Sequence, residues 1–437
     1  MKRELTLAIS AALLAASGTA LAVTDIEGNA TIPFNLANPG ARSMGMGGAF
    51  VGLADDATAA YTNPAGLTQL VTPEISIEGR HTEYSVPRVI GGNATLNPFD
   101  GSGITTAEAD SSRTGLSFLS VVYPHDRWSF AAYRDELVNF NSNFAPQSFT
   151  VGVLLGNQYE TFPETHKVDL KIIDYGFSVA YKAGDSISLG AGLSYYNFDI
   201  STFQTRFAFE NAFQGVPAGT AINRQVQDGS DNDIGVNLGA RFVLNEHWSA
   251  GVTYRGGPRF GYEATNTVLL TDSGAPFVAV DLKNVRFKVP DQFGVGLSWH
   301  PTDALIVNLD ADYIQYSQLT HGMESLFGSD ATTVSHLSIP NGAEVHLGGE
   351  YTFTQMAHPF SLRAGVWHDP RHSIEYKGDP GTDLGPIALA ALFHGGKGSQ
   401  THYAFGGGFA FAKFQIDAAA DFSDQTDTFS LSGVYHF

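Results

Sequence analysis

Apolar and polar residues alternate at period two through most of this chain from about residue 73 onward. The alternating segments fall at 73–87, 112–124, 127–140, 166–182, 186–209, 231–244, 247–270, 280–300, 304–319, 342–354, 359–375, 400–412, 413–424 and 427–437. Each predicts a β-strand with one apolar and one polar face. In 304–314, Leu305, Val307, Leu309, Ala311 and Tyr313 share one face, and Asn308, Asp310 and Asp312 the other. In 413–424, Phe414, Ile416, Ala418, Ala420 and Phe422 oppose Gln415, Asp417 and Asp421. In 344–353, Val345, Leu347, Gly349, Tyr351 and Phe353 oppose Glu344, His346 and Glu350. The last strand carries Phe429, Leu431, Gly433, Tyr435 and Phe437 on one face and ends the chain on an aromatic residue.

The connections alternate in length. Short turns sit at Pro124-His125-Asp126, Ala183-Gly184-Asp185, Asn245-Glu246-His247, Pro301-Thr302-Asp303 and Gln355-Met356-Ala357. Longer segments lie between them, at 88–111, 141–165, 210–230, 271–279, 320–341 and 376–399. Short turns on one side and long loops on the other are the asymmetry of a transmembrane barrel. The pattern predicts an all-β fold: a transmembrane antiparallel β-barrel of about 14 strands, residues 73–437. Apolar residues would face lipid and polar residues the lumen. Period two alone does not distinguish this from a soluble barrel with inverted facing.

The amino terminus decides the facing. Lys2 and Arg3, the apolar run Leu5–Ala16 and Ala20-Leu21-Ala22 form the three parts of a secretory signal peptide, 1–22. Export, the loop asymmetry and the terminal Phe437 place the barrel in a Gram-negative outer membrane, with both termini periplasmic. Phe437 would engage the barrel assembly machinery. Lipid and lipopolysaccharide would surround a monomer. The chain has no Cys, so disulfides contribute nothing to its stability. Its net charge of −20 argues against nucleic acid as a partner.

Residues 23–72 lack the alternation. They are rich in Gly and small residues around Met44, Met46 and Phe50, with a short helix signal at Ala54–Tyr61 stopped by Asn63-Pro64. So short a segment cannot bury much core alone. The lumen is the expected place for it, as a hatch.

G-A-F-V-G-L-A-D-D-A-T-A-A-Y-T-N-P-A-G-L, Gly48 to Leu67, resembles the N-terminal hatch of the FadL/TodX family of outer-membrane transporters for long-chain fatty acids and aromatic hydrocarbons. Asn63-Pro64-Ala65 is its most specific part. Val289–Leu319, Arg363–Pro370 and the aromatic carboxyl terminus are similar to the family too. The resemblance implies a fourteen-stranded barrel closed by its hatch. Hydrophobic ligand would be captured at external loops, pass the hatch and leave sideways into the bilayer. A related barrel group without known transport shares the hatch signature, so a non-transporting assembly or secretion partner stays open, as does a lipid hydrolase. In carboxylate-binding relatives a basic residue sits midway along the fifth strand, where this chain reads Tyr196-Asn197-Phe198-Asp199. That departure favours a neutral hydrocarbon or ester over a fatty acid.

Candidate ligand contacts are Phe203, Phe207, Phe209, Phe213 and Val216 in 203–222, and Ile387, Leu389, Leu392 and Phe393 in 385–394, where a short apolar helix could cover the mouth. Met44, Met46 and Phe50 of the hatch join them. For each, local packing is the competing reading. Arg241, Arg255 and Arg363 share lumen parity and could hold a carboxylate or pair with inward acids. The sequence contains no H-E-x-x-H, G-x-S-x-G or Cys pair, and Gly45-Met46-Gly47-Gly48 is not followed by the Lys of a phosphate loop. No enzyme activity, metal or cofactor is expected.

Overall fold

The computed structural model describes residues 36–95, 103–154, 157–210, 212–213, 215–270, 276–320, 336–379, 381, 384–393 and 398–437. The predicted signal peptide and the first residues of the predicted hatch, 23–35, lie outside them. The strands of the first half are β1 Glu74–Gly92, β2 Ile104–His125, β3 Trp128–Phe144, β4 Thr150–Leu154, β5 Asn157–Glu160, β6 Glu164–Lys182, β7 Ile187–Phe207 and β8 Ala221–Asn245. Next come β9 Trp248–Gly256, β10 Arg259–Leu270, β11 Pro276–Lys288, β12 Gln292–Thr302, β13 Leu305–Ile314 and β14 Leu337–Ser338. The last are β15 Gly342–Phe353, β16 Phe360–Asp369, β17 Glu375–Tyr376, β18 Gln400–Ala410, β19 Phe414–Phe422 and β20 Thr426–His436.

Antiparallel ladders join β1, β2, β3, β6, β7, β8, β9, β12, β13, β15, β16, β18, β19 and β20 into a ring. β20 closes on β1, with Glu74 opposite His436, which leaves no edge in the closed part. The result is a closed 14-strand barrel. β4 with β5 and β14 with β17 form two small separate sheets. Among the described residues no helix is long and apolar enough to cross a membrane.

The facing follows the alternation. Leu309, Tyr313, Val345, Leu347, Ile416, Phe422 and Leu431 are exposed outside, while Asn308, Asp310, Glu344, His346, Asp417 and Asp421 are buried inside. Val434 breaks the pattern in β20 and points inward. The exposed apolar band has an aromatic border near the short turns, where Trp248 stacks on Trp299 at 5.6 Å and Trp128 packs on Tyr181 at 4.5 Å. At the other border Tyr254 meets Phe293 at 4.7 Å. Paired aromatic girdles of this kind mark the two interfaces of a bilayer.

Two expectations need correction. β2 starts at Ile104 and β8 at Ala221, well before the predicted 112 and 231. Those extensions carry polar side chains on both faces, because they project beyond the apolar band, and the apolar alternation therefore misses them. The predicted single strands 247–270 and 280–300 are each broken, at Gly257-Pro258 and at Val289-Pro290-Asp291. Proline offers no amide to a ladder.

Candidate functional site

The hatch sits on the inner wall. It contains α1 Ala41–Gly45, α2 Ala59–Thr62 and a 3₁₀ turn Pro64–Gln69 whose cap is the Asn63 side chain, accepting from Ala65 N. Its core is Met46, Phe50, Leu53, Tyr61 and Leu67, all nearly inaccessible. A segment with so little regular structure must find partners for its backbone elsewhere. The inward side chains supply them. Asp310 accepts from Phe50 N (2.5 Å) and Val51 N (2.6 Å), and Asn308 donates to Ala49 O at 3.0 Å. Asn237 donates to Tyr61 O at 2.6 Å, Ser249 to Gly52 O at 2.9 Å, and His346 Nδ1 to Gly47 O at 2.7 Å. Where backbone meets backbone the wall uses glycine: a Cβ on Gly348 would overlap the Met46 carbonyl, and one on Gly365 the Gly47 amide.

Over the hatch lies a cavity of about 190 Å³. A dry cavity of about 150 Å³ already holds a benzene ring. Its floor includes Met44, Gly47 and Gly48 of the hatch. One side is an aromatic stack, His346–Trp367 at 5.2 Å and Trp367–His402 at 3.8 Å. Asp421 holds that stack by accepting from Trp367 Nε1 (2.9 Å) and His402 Nδ1 (2.6 Å). Tyr316 and His372 stack at 4.2 Å on another side, with the Tyr316 hydroxyl donating to Glu344 at 2.8 Å. Tyr84 and Phe140, in edge contact at 5.6 Å, complete the lining beside Arg80, Arg113 and Glu136. Arg80 is held by Glu78 at 2.9 Å. Arg113 makes no hydrogen bond or ion pair among the described residues, and its Nε is buried without a partner.

The Arg113 side of the cavity coincides with a break in the wall. The β2–β3 ladder runs from His125↔Trp128 to Phe118↔Asp135 and stops. Beyond it, β2 pairs only with β1, and β3 only with β6. Both strands carry an extra residue at the foot of this gap, Ser117 in β2 and Leu137 in β3. Such bulges increase local twist and terminate pairing. The freed edges are satisfied by side chains: Arg134 donates to the carbonyls of Leu116 and Ser117, and Glu136 holds Arg134 and Asn139, each at 3.1 Å.

The predicted site residues are distributed differently. Of the twelve predicted ligand contacts only Met44 lines the cavity. Met46 and Phe50 are packed between hatch and wall. Phe203 and Phe207 belong to β7, not to a loop, and Phe203 is exposed on the outer face. Phe209, Phe213 and Val216 pack locally with Phe162. The apolar helix exists as α3, Leu384–Leu392; its Leu389 and the following Phe393 are buried in the cluster above the lumen with Phe140 and Phe198, Leu392 packs against that cluster, and Ile387 against a neighbouring one. Arg363 is enclosed by Glu350 (2.5 Å) and Asp417 (2.8 Å). Arg255 lies 3.7 Å from the Tyr61 ring centroid and donates to Gln292 and Tyr61 O. Arg241 is half-buried and its Nε is unpaired. Sequence reading missed Tyr84, Arg113, Phe140, Tyr316 and Trp367. Tyr84 and Trp367 were findable, as aromatic residues on the polar, inward parity of their strands.

His372 ties the loop after β16 to the cavity. Burial alone would lower its pKa, but the Asp369 carboxylate at 3.3 Å and the Pro370 carbonyl outweigh burial and raise it. A raised folded pKa contributes stability that is complete below the unfolded value of about 6.5 and is lost as pH rises through the folded value. Proteolysis of the 369–376 segment is therefore expected to accelerate from acid to alkaline pH. His372→Gln should flatten the profile, and an unchanged profile in that variant would assign the effect to another group.

The family model described as "Outer membrane protein transport protein (OMPP1/FadL/TodX)" matches residues 32–377. Outer membrane protein P1 of Haemophilus influenzae is 23% identical over 388 residues, covering 80% of each chain. Among solved structures, a Pseudomonas aeruginosa FadL homologue superposes with a TM-score of 0.68 at 16% identity, over 92% of this chain and 99% of that one. The Pseudomonas putida toluene transporter TodX gives 0.55 at 17% identity, over 92% and 98%. The Ralstonia pickettii toluene transporter TbuX gives 0.54 at 18%, over 92% and 99%. At these identities the structural likeness concerns the fold.

Proposed function

This chain belongs to the OMPP1/FadL/TodX family of outer-membrane transport proteins, and on that premise we propose that it moves hydrophobic solutes from the external medium into the bilayer by a lateral route. Ligand is taken up beneath the external segments, rests in the cavity over the hatch, and leaves between β2 and β3. The observation that carries this reading is the coincidence of cavity and wall gap: Arg113, Gly115, Ser117 and Glu136 line both. An axial path is obstructed by the hatch, so a water-filled diffusion pore fits poorly. Sideways release keeps an apolar solute out of water, which would otherwise cost about 25 cal/mol per Å² of re-exposed surface. β1 begins and β20 ends at the short-turn end, which this reading places in the periplasm.

The ligand end is set by Arg113. An unpartnered guanidinium beside Tyr84 and Phe140 suits a solute with an apolar body and one carboxylate. It supplies a positive charge that Tyr196 and Phe198 of the fifth barrel strand do not. Relatives named as toluene transporters make a neutral aromatic solute the second reading. The test is uptake of labelled oleate and labelled toluene, supplied separately, in a host lacking its own long-chain fatty acid transporter. Oleate uptake that drops several-fold in Arg113→Gln, with toluene unaffected, is expected, because a charge-assisted bidentate contact is worth about 1.5–3 kcal/mol. Toluene uptake alone would leave the route and remove the carboxylate. Neither solute entering, from a barrel shown to be folded, would end the transport reading.

A further inference from the structure

The wall has a second interruption, on the opposite side of β7 from β3. The β8–β9 ladder ends at Val236↔Gly256, and the β8–β10 ladder resumes at Asp228↔Glu263. Residues 229–235 of β8 therefore face 257–262 without ladder pairs. Side chains replace the missing backbone bonds. Asp233 Oδ2 accepts from Arg259 N and Asp231 Oδ2 from Gly261 N, each at 2.7 Å. Ile234 and Val236, exposed outside, place this seam at the upper rim of the apolar band.

The strands beyond the seam form an arm. β10 and β11 pair with each other from Arg259↔Lys288 outward. Both connect to the barrel through breaks at the same height, Gly257-Pro258 and Val289-Pro290. Val289 N donates to Pro258 O at 3.0 Å, so the two breaks form one paired joint. Hinges are short segments that absorb a change of backbone angles while flanking elements stay rigid. Behind the latch the arm presses aromatic rings into the lumen. Phe260 is almost inaccessible and stacks on Phe198 at 4.9 Å and 14°, with Tyr262 6.0 Å from Phe198.

We infer that this seam is a second lateral gate, hinged at Gly257-Pro258 and Val289-Pro290 and latched by Asp231 and Asp233, through which a flat aromatic solute passes between the outer headgroup region and the Phe198–Phe260 pair. The inference rests on the transport reading for its cargo but not for its motion. A ladder would hold the seam by reciprocal backbone bonds; two carboxylates whose amide bonds water can replace hold it reversibly. The ring-lined interior matches an aromatic ring better than an alkyl chain, since offset stacking adds to area burial.

The chain has no Cys, so an introduced pair is unambiguous. A Cβ on Gly261 would lie 3.6 Å from Asp231 Oδ2, so side chains at the two positions meet across the seam. In Asp231→Cys/Gly261→Cys, toluene uptake should fall when the pair is oxidised and recover on reduction. Equal uptake in both states would remove the gate, and with uptake intact the transport reading would survive that loss. The motion has its own readout: a thiol reagent should label Phe260→Cys faster when Asp231→Ala/Asp233→Ala is added. A labelling rate unchanged by loss of both carboxylates overturns the latch whether or not any solute is carried.

Discussion

Gly365→Val is expected to dislodge the hatch while leaving the barrel assembled. The position faces the lumen in β16, and any β-carbon there overlaps the Gly47 amide and the Met46 carbonyl carbon. Both are backbone atoms, so no rotamer of a neighbour relieves the clash. Overpacking alone costs about 1–3 kcal/mol. The displaced segment also forfeits the bonds from Asp310 to Phe50 N and Val51 N, each charge-assisted and worth about 1.5–3 kcal/mol. The β15–β16–β18 ladders are made by backbone groups and are untouched by the change. The variant should keep the heat-modifiable gel migration of a folded barrel, lose several degrees of thermal stability and show new ion conductance in planar bilayers. Gly407→Val is the control, because a Cβ there meets only ordinary contacts beginning at 3.4 Å. Conductance and stability equal to the control's would show that the hatch tolerates the volume.

Deleting Ser117 and Leu137 together should seal the wall and reduce uptake to that of vesicles without the protein. Each is the extra residue of a bulge, so its removal restores alternation instead of reversing it. In β3, Asp135 faces in and Val138 faces in; Glu136 alone would then separate them. In β2, Phe118 and Gly115 would be separated by Leu116 in the same way. The polar segments 104–116 of β2 and 138–144 of β3 could then continue the ladder past Phe118↔Asp135. Stability should rise, since edge groups now capped by Arg134 would gain backbone partners. Uptake retained by the double deletion, with the ladder shown restored by amide exchange, would move the exit elsewhere.

How much was legible in advance varied with the reach of the interaction. The inward Asp310 and outward Leu309 needed only the period of a strand, which any lipid-facing barrel enforces at every second residue. The hatch was legible in Gly48–Leu67 because its composition departs from strand composition. The cavity was not. Phe140 faces inward only because Leu137 shifts the parity of β3, and a bulge leaves no mark in the hydrophobic pattern. Arg113 faces inward for the same reason, because the extra residue Ser117 shifts the parity of β2. Phe209 and Phe213 look like a capture surface in sequence, yet they pack against Phe162 of the preceding long segment.

The sequence by itself determined the strand number, the facing of the apolar band, the long and short connections and the presence of a separate amino-terminal segment. All of these depend on contacts between a residue and its solvent, lipid or water, which local pattern records. Tertiary structure alone decided which glycines receive the hatch, where the β2–β3 and β8–β10 ladders stop, and which arginine stands unpaired. Those depend on the register between strands and on which distant side chain arrives first at a given charge. Arg363 and Arg113 share inward parity, but only one meets Glu350 and Asp417 across the wall.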